Sequence, residues 1–186
     1  MATYYYQSGC DGAPQTPYAC SGCLTRELAR VRSIAFVKDS YLATLLADPT
    51  SGTVWSTGIT SLNIIVLYKV NGEYDGGETE EIDGFGDSPF DNGNTTHTMT
   101  INDPHVADNW DFYNYIRQTS DWIPVLKTST KIWLFEEPAN IKVKMPIAND
   151  IKAVVTNQLV IKVVQDGLPV PYTIPAGIFD SCLIAQ

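Results

Sequence analysis

Ile141, Val143, Met145 and Ile147 alternate with Lys142, Lys144 and Pro146. A period of two sends every second side chain to one face, the geometry of a strand lying half on a core. The same period recurs along the chain. Residues 31–37 set Val31, Ser33, Ala35 and Val37 against Arg32, Ile34 and Phe36, and residues 96–101 set His97, Met99 and Ile101 against Thr96, Thr98 and Thr100. Residues 62–70 are β-branched and aromatic, as strands prefer. Residues 122–127, 131–135 and 151–164 are further strand candidates. Turn chemistry separates them, at Asp48-Pro49-Thr50-Ser51-Gly52, Glu137-Pro138-Ala139-Asn140 and Ala148-Asn149-Asp150. Gln165-Asp166-Gly167 opens a last segment with Pro169, Pro171 and Pro175. One stretch has helical spacing: Val106, Trp110, Tyr113 and Arg117, with Ile116 beside them. Asp103 as N-cap and Pro104 at the first helical position place that helix at about 104–118. The expectation is a mainly β chain, a β-sandwich or partial barrel, with one flanking α-helix.

A chain of 186 residues with 44% hydrophobic content suits a single domain with a real core. Residues 1–24, rich in Gly, Pro, Ser, Tyr and Cys, read as an irregular N-terminal arm, and 25–186 as one β-rich domain. Residues 71–95 hold six glycines and read as a long loop, a kind of element often used for binding or assembly. The first ten residues have neither a basic nor an apolar region, so no signal peptide is expected. No apolar run approaches the ~20 residues of a membrane helix. A soluble protein of the cytosol, or of an assembly built there, is expected.

Charge divides the chain sharply. Twelve Lys and Arg face 21 Asp and Glu, a formal net charge of −9. Between Val70 and Ile116 there is no base, and eleven acids stand there: Glu73, Asp75, Glu78, Glu80, Glu81, Asp83, Asp87, Asp91, Asp103, Asp108 and Asp111. Elsewhere the twelve bases slightly outnumber the ten remaining acids. This balance excludes a protein that grips nucleic acid by releasing counterions, and one that adheres to an anionic membrane. A dipolar layout suits a subunit that meets copies of itself or a partner of opposite sign.

Enzyme signatures are missing: no GxSxG, P-loop, HExxH or GxGxxG. The chain reads as a non-enzyme with no required cofactor. His97 and His105, near Asp103 and Asp108, read as surface polar chemistry rather than a metal site. Spacing in Glu73–Asp91 does not match an EF-hand. Cys20-Ser21-Gly22-Cys23 is a CxxC, a spacing that lets two thiolates face one metal. With Cys10 and Cys182 it would form a four-cysteine structural Zn²⁺ site if the termini converge; reduced spectator thiols are the alternative.

Ordered motifs give the chain a likeness. They are Arg32-Ser33-Ile34-Ala35-Phe36-Val37, Asp48-Pro49-Thr50, Trp55, Gly58-Ile59, Asn71-Gly72-Glu73-Tyr74-Asp75-Gly76-Gly77, Gly84-Phe85-Gly86-Asp87, Asn109-Trp110-Asp111-Phe112-Tyr113-Asn114 and Asp150-Ile151. Their succession resembles a family of structural proteins from tailed bacteriophages of Bacteroidetes-type hosts, crAss-like phages among them. The resemblance implies a tail-tube-like fold and a virion tail component assembled in the host cytoplasm. It implies a homo-oligomeric ring, six- or twelvefold, between the portal and the distal tail, with neighbouring ring proteins as partners and no membrane. DNA would pass through without sticking. The acids Glu73, Asp75, Glu78, Glu80, Glu81, Asp83, Asp87 and Asp91 are then candidates for a lumen wall or an assembly loop. The rival readings are a β-sandwich module binding glycan or protein, and a small zinc enzyme.

Overall fold

The computed structural model describes residues 30–83, 90–105, 108–147 and 155–179. Their elements are β1 (Val31–Lys38), α1 (Asp39–Ala47), α2 (Gly52–Thr60), β2 (Ile64–Tyr74), β3 (Glu78–Asp83), β4 (Phe90–Asp103), α3 (Trp110–Ile116), β5 (Trp122–Lys127), β6 (Lys131–Leu134), β7 (Asn140–Lys144), β8 (Asn157–Gln165) and β9 (Val170–Thr173). The chain is mainly β, as the alternation predicts. The nine strands among the described residues form one sheet in the order β7-β8-β4-β2-β1-β5-β6-β9, with β3 added on β4. Every described pairing is antiparallel.

The sheet does not close into a barrel, but it curls strongly. His97 on β4 and Phe135 just beyond β6 lie four strand positions apart in that order. In a flat sheet this separation is about 19 Å, at ~4.8 Å per strand. Their ring centroids are 5.3 Å apart. The concave side therefore folds onto itself, burying Ile34, Phe36, Met99, Ile101, Leu126, Leu159 and Ile161 in one cluster. A second cluster lies on the other face of β1, where Ala35, Val37, Val125 and Leu134 pack under Leu45, Trp55 and Ile59. Central β1 is thus buried on both faces, which the sequence shows as a run of apolar residues on both parities.

Among the described residues three helices stand where one was expected. The Asp48–Gly52 turn does not join two strands; it joins α1 to α2, both of which cover the second cluster. Helix α2 consists largely of Gly, Thr and Val, weak helix formers. Packing holds it. Trp55 is fully buried and its Nε1–H donates to the Pro49 carbonyl at 2.8 Å. Gly58 lets the helix touch the sheet, since a Cβ there would lie 2.5 Å from Ile64 Cδ1.

The third helix starts later than the expected 104, at Trp110 with Asn109 as its N-cap residue. Asp103 is not the cap. It ends β4, 3% exposed, and accepts from the His105 backbone N–H, His105 Nδ1 and the Tyr113 hydroxyl. Those bonds tie the connection to the helix flank and leave the carboxylate nothing for a first turn. Strand β7 stops at Lys144, short of the expected Ile147, and Ile147 is 70% exposed. Pro146, which lacks an N–H, cannot extend a ladder there.

Candidate functional site: an acidic ribbon and a basic edge

The expected loop at 71–95 is mostly strand. Residues Tyr74 and Glu78 both sit against β4, opposite Met99 and Thr96, so β2 and β3 run in line along one side of β4. Between them the chain uses one residue more than β4 does, a bulge centred on Asp75-Gly76-Gly77. Glycine is required at 77: its φ is +86°, and a Cβ would lie 2.5 Å from His97 Nδ1. Loop expectation failed because glycines and acids that look like solvent-exposed linker are here a bulge and a polar strand edge.

The bulge is pinned from two sides. Asp75 accepts from the backbone N–H groups of Gly77 at 2.9 Å and Thr98 at 3.0 Å. Partial desolvation pushes the Asp75 carboxyl upward, but these backbone bonds outweigh it and hold the group below the usual carboxylate range. Below the bulge, fully buried His97 shares a 2.8 Å bond with the Tyr74 hydroxyl through Nδ1. Its Nε2 lies 2.9 Å from the Gly167 carbonyl, which only accepts, so Nε2 carries a proton and donates. Burial, then the charge of Asp75, raises the Tyr74 hydroxyl to about 12, so it stays a protonated donor at neutral pH.

An Asp75→Asn variant tests this pin. The native carboxyl is depressed, so its contribution is present above the unfolded value near 3.9 and is lost as pH falls through the folded value. The variant is expected to be about 1 kcal/mol less stable at pH 7. That gap should shrink below about pH 4 when urea midpoints are measured across pH.

Beyond the bulge the sheet narrows. Strand β8 pairs with β4 only as far as Thr95, while β3 follows β4 to Phe90. A two-stranded ribbon therefore projects from the body. Glu73 on β2, Asp75 in the bulge and Glu78, Glu80 and Glu81 on β3 are exposed along the β2–β3 side of β4. Asp83 and Asp91 belong to the paired ribbon backbone, and Asp87 lies outside the described residues. The other side of the same sheet segment is basic. Lys142, Lys144 and Lys162 lie on the face of β7 and β8 opposite the core residues Ile141, Leu159 and Ile161. Between acids and bases, Thr96, Thr98 and Thr100 line that face of β4. Sequence reading took Lys142 and Lys144 only as the polar half of an alternation; register is what turns them into a basic edge.

Cys10, Cys20, Cys23 and Cys182 lie outside the described residues. Among the described residues no three His, Cys, Asp or Glu side chains converge as a metal set. His97 and His105 do not form a pair: one bonds Tyr74 and Gly167, the other Asp103. His97 is a core residue, in contrast to the surface position expected for it. No helix among the described residues is long and apolar enough to cross a membrane. Comparison with protein-family models, curated proteins and solved structures gives no match.

Proposed function

We propose that the chain is a non-enzymatic structural subunit of a bacteriophage tail, assembling head to tail into a ring or tube around a channel for DNA. One observation carries the reading. The run β3-β4-β8-β7 ends in two strands that each pair on one side only among the described residues, one edge acidic and the other basic. Open strand edges invite pairing, and natural chains usually cover or charge them. Opposite charges on the two ends favour contact between unlike edges of successive copies and oppose contact between like ones. Unlike-edge contacts are heterologous, and they generate rings when the rotation closes.

In such a ring the face bearing Thr96, Thr98, Thr100, Glu73 and Glu78 looks away from the core of each subunit. We assign it to the channel wall; Lys142, Lys144 and Lys162 share this face, and in the ring the acids of the next copy's β3 edge stand against them, which leaves phosphates little purchase. Acids found only on the outside of an imaged ring would reject that assignment. The neighbours would be other ring proteins of the tail, with the virion as location.

The test uses negative-stain imaging and sizing of the full chain. Rings are expected for the native protein. Lys142→Glu with Lys144→Glu should abolish them, and adding Glu78→Lys with Glu81→Lys should restore them. A native chain that stays monomeric at every concentration rejects the reading.

A second reading has one observation in its favour. A cleft of about 810 Å³ is lined by Tyr74 and Trp133 beside Glu73 and Asp75. Aromatic faces with adjacent carboxylates suit sugar stacking and hydroxyl binding. A monomer that binds a glycan array would favour this binding module over the ring.

A further inference from the structure

A different region of the molecule gathers bases. Arg30 and Arg32 at the start of β1, Lys69 on β2 and Lys127 at the end of β5 line one cavity of about 620 Å³, together with the Ser33 and Tyr68 side chains. Ser33 sits in register with both Tyr68 and Lys127, so three adjacent strands build its floor. No Asp or Glu lines it among the described residues. The ion pair found among the described residues is His105 with Asp103, so none of the four bases has a described carboxylate at bonding distance.

Backbone geometry brings them together. The β1–β2 register shifts between Val31 and Ser33, whose partners are Gly72 and Tyr68, so Lys69, Val70 and Asn71 stand against Arg32 alone. At this bulge Lys69 adopts φ +57°, a left-handed conformation that costs a residue with a side chain. Its ammonium lies 5.2 Å from the centre of the Tyr68 ring, held over the aromatic face. A strained backbone thus sets a lysine beside an arginine, against like-charge repulsion. Bulges and strain of this kind gather at functional sites.

We infer that this cavity binds a compact, multiply charged oxyanion of the phosphate class. Its lining brings four positive charges, Ser33 and Tyr68 around one space, with Val70 and Phe179 as its apolar part. A single carboxylate would leave most of that charge unbalanced, whereas a di- or triphosphate group would match it and accept from guanidinium forks and ammonium groups together. This site is separate from the β3 and β7 edges and does not depend on the ring reading.

Titration calorimetry of the full chain with inorganic triphosphate tests it. One saturable site per chain is expected, weakening with added salt and accompanied by a raised unfolding temperature. Arg32→Gln with Lys127→Gln should weaken it by roughly tenfold or more. Lys38→Gln with Arg117→Gln, bases outside the cavity and outside the charged edges, should leave it unchanged. A single-stranded oligonucleotide that displaces triphosphate would identify nucleic-acid backbone as the source of the phosphate; one that fails to do so would identify a free phosphate compound. The inference is overturned by absence of saturable binding at millimolar triphosphate. Equal loss in both double variants overturns it too, as does tighter binding of a peptide with the sequence of residues 78–83.

Discussion

Replacing Trp55 by alanine is expected to remove about 3–5 kcal/mol of stability, the usual cost of deleting a large buried aromatic. The side chain is fully buried between α2 and the sheet. It meets the Phe179 ring edge-on with centroids 5.3 Å apart, and its N–H holds the Pro49 carbonyl. Helix α2 has little propensity of its own, so losing this anchor releases the whole helical layer from the second cluster. Trp55→Phe separates the contributions. It keeps much of the packing but leaves the Pro49 carbonyl without its partner, and should lose roughly half as much. Urea unfolding followed by far-UV circular dichroism measures both. Equal losses in the two variants would show that the hydrogen bond, not the packing, anchors the layer.

The second large effect is expected at His97. His97→Ala should cost about 3 kcal/mol, from a cavity beside Phe135 and from a Tyr74 hydroxyl and Gly167 carbonyl left unpaired. The damage should be local as well as global. His97 is the contact that joins the Asp75–Gly77 bulge to the turn after β8, so hydrogen exchange should quicken at residues 75–77 and 165–168 before it quickens in β1. His97→Phe retains ring volume without either bond and should recover only part of the stability. Uniform quickening across the sheet would reject the role of a local tie.

Much of this fold was legible in residue order, and the misses have physical causes. Period-two alternation located β1, β4 and β7, β-branched and aromatic composition located β2, and β5, β6 and β8 fall on the further strand candidates. Helix α1 offered a readable signal, an Asp39-Ser40 start followed by Leu42, Leu45 and Leu46, but it follows β1 without a break. Helix α2 offered almost none, because Trp55 and the close approach at Gly58 hold it and local preference does not. Strand β3 is Glu-rich and exposed, and only its register with β4 makes it a strand. The acids were therefore legible as a cluster in the sequence, while the pairing of β3 along β4 required long-range register. Lys69 and Lys127 join Arg30 and Arg32 only through a bulge and a neighbouring strand, which no spacing in the sequence records.

Strand β4 receives β2 and β3 on one side and β8 on the other. These partners do not arrive together during synthesis. The hairpin of β2, β3 and β4 is complete while α3, β5, β6 and β7 have yet to leave the ribosome, and β8 comes after them all. Throughout that interval the β8-facing edge of β4, with its Thr-rich alternation, stands open to any neighbouring nascent chain. Nine of the eleven acids of residues 70–116, and no base, fall between Val70 and the end of β4. Chains at that stage repel one another, so the same charge acts as a gatekeeper against premature pairing until β8 closes the edge.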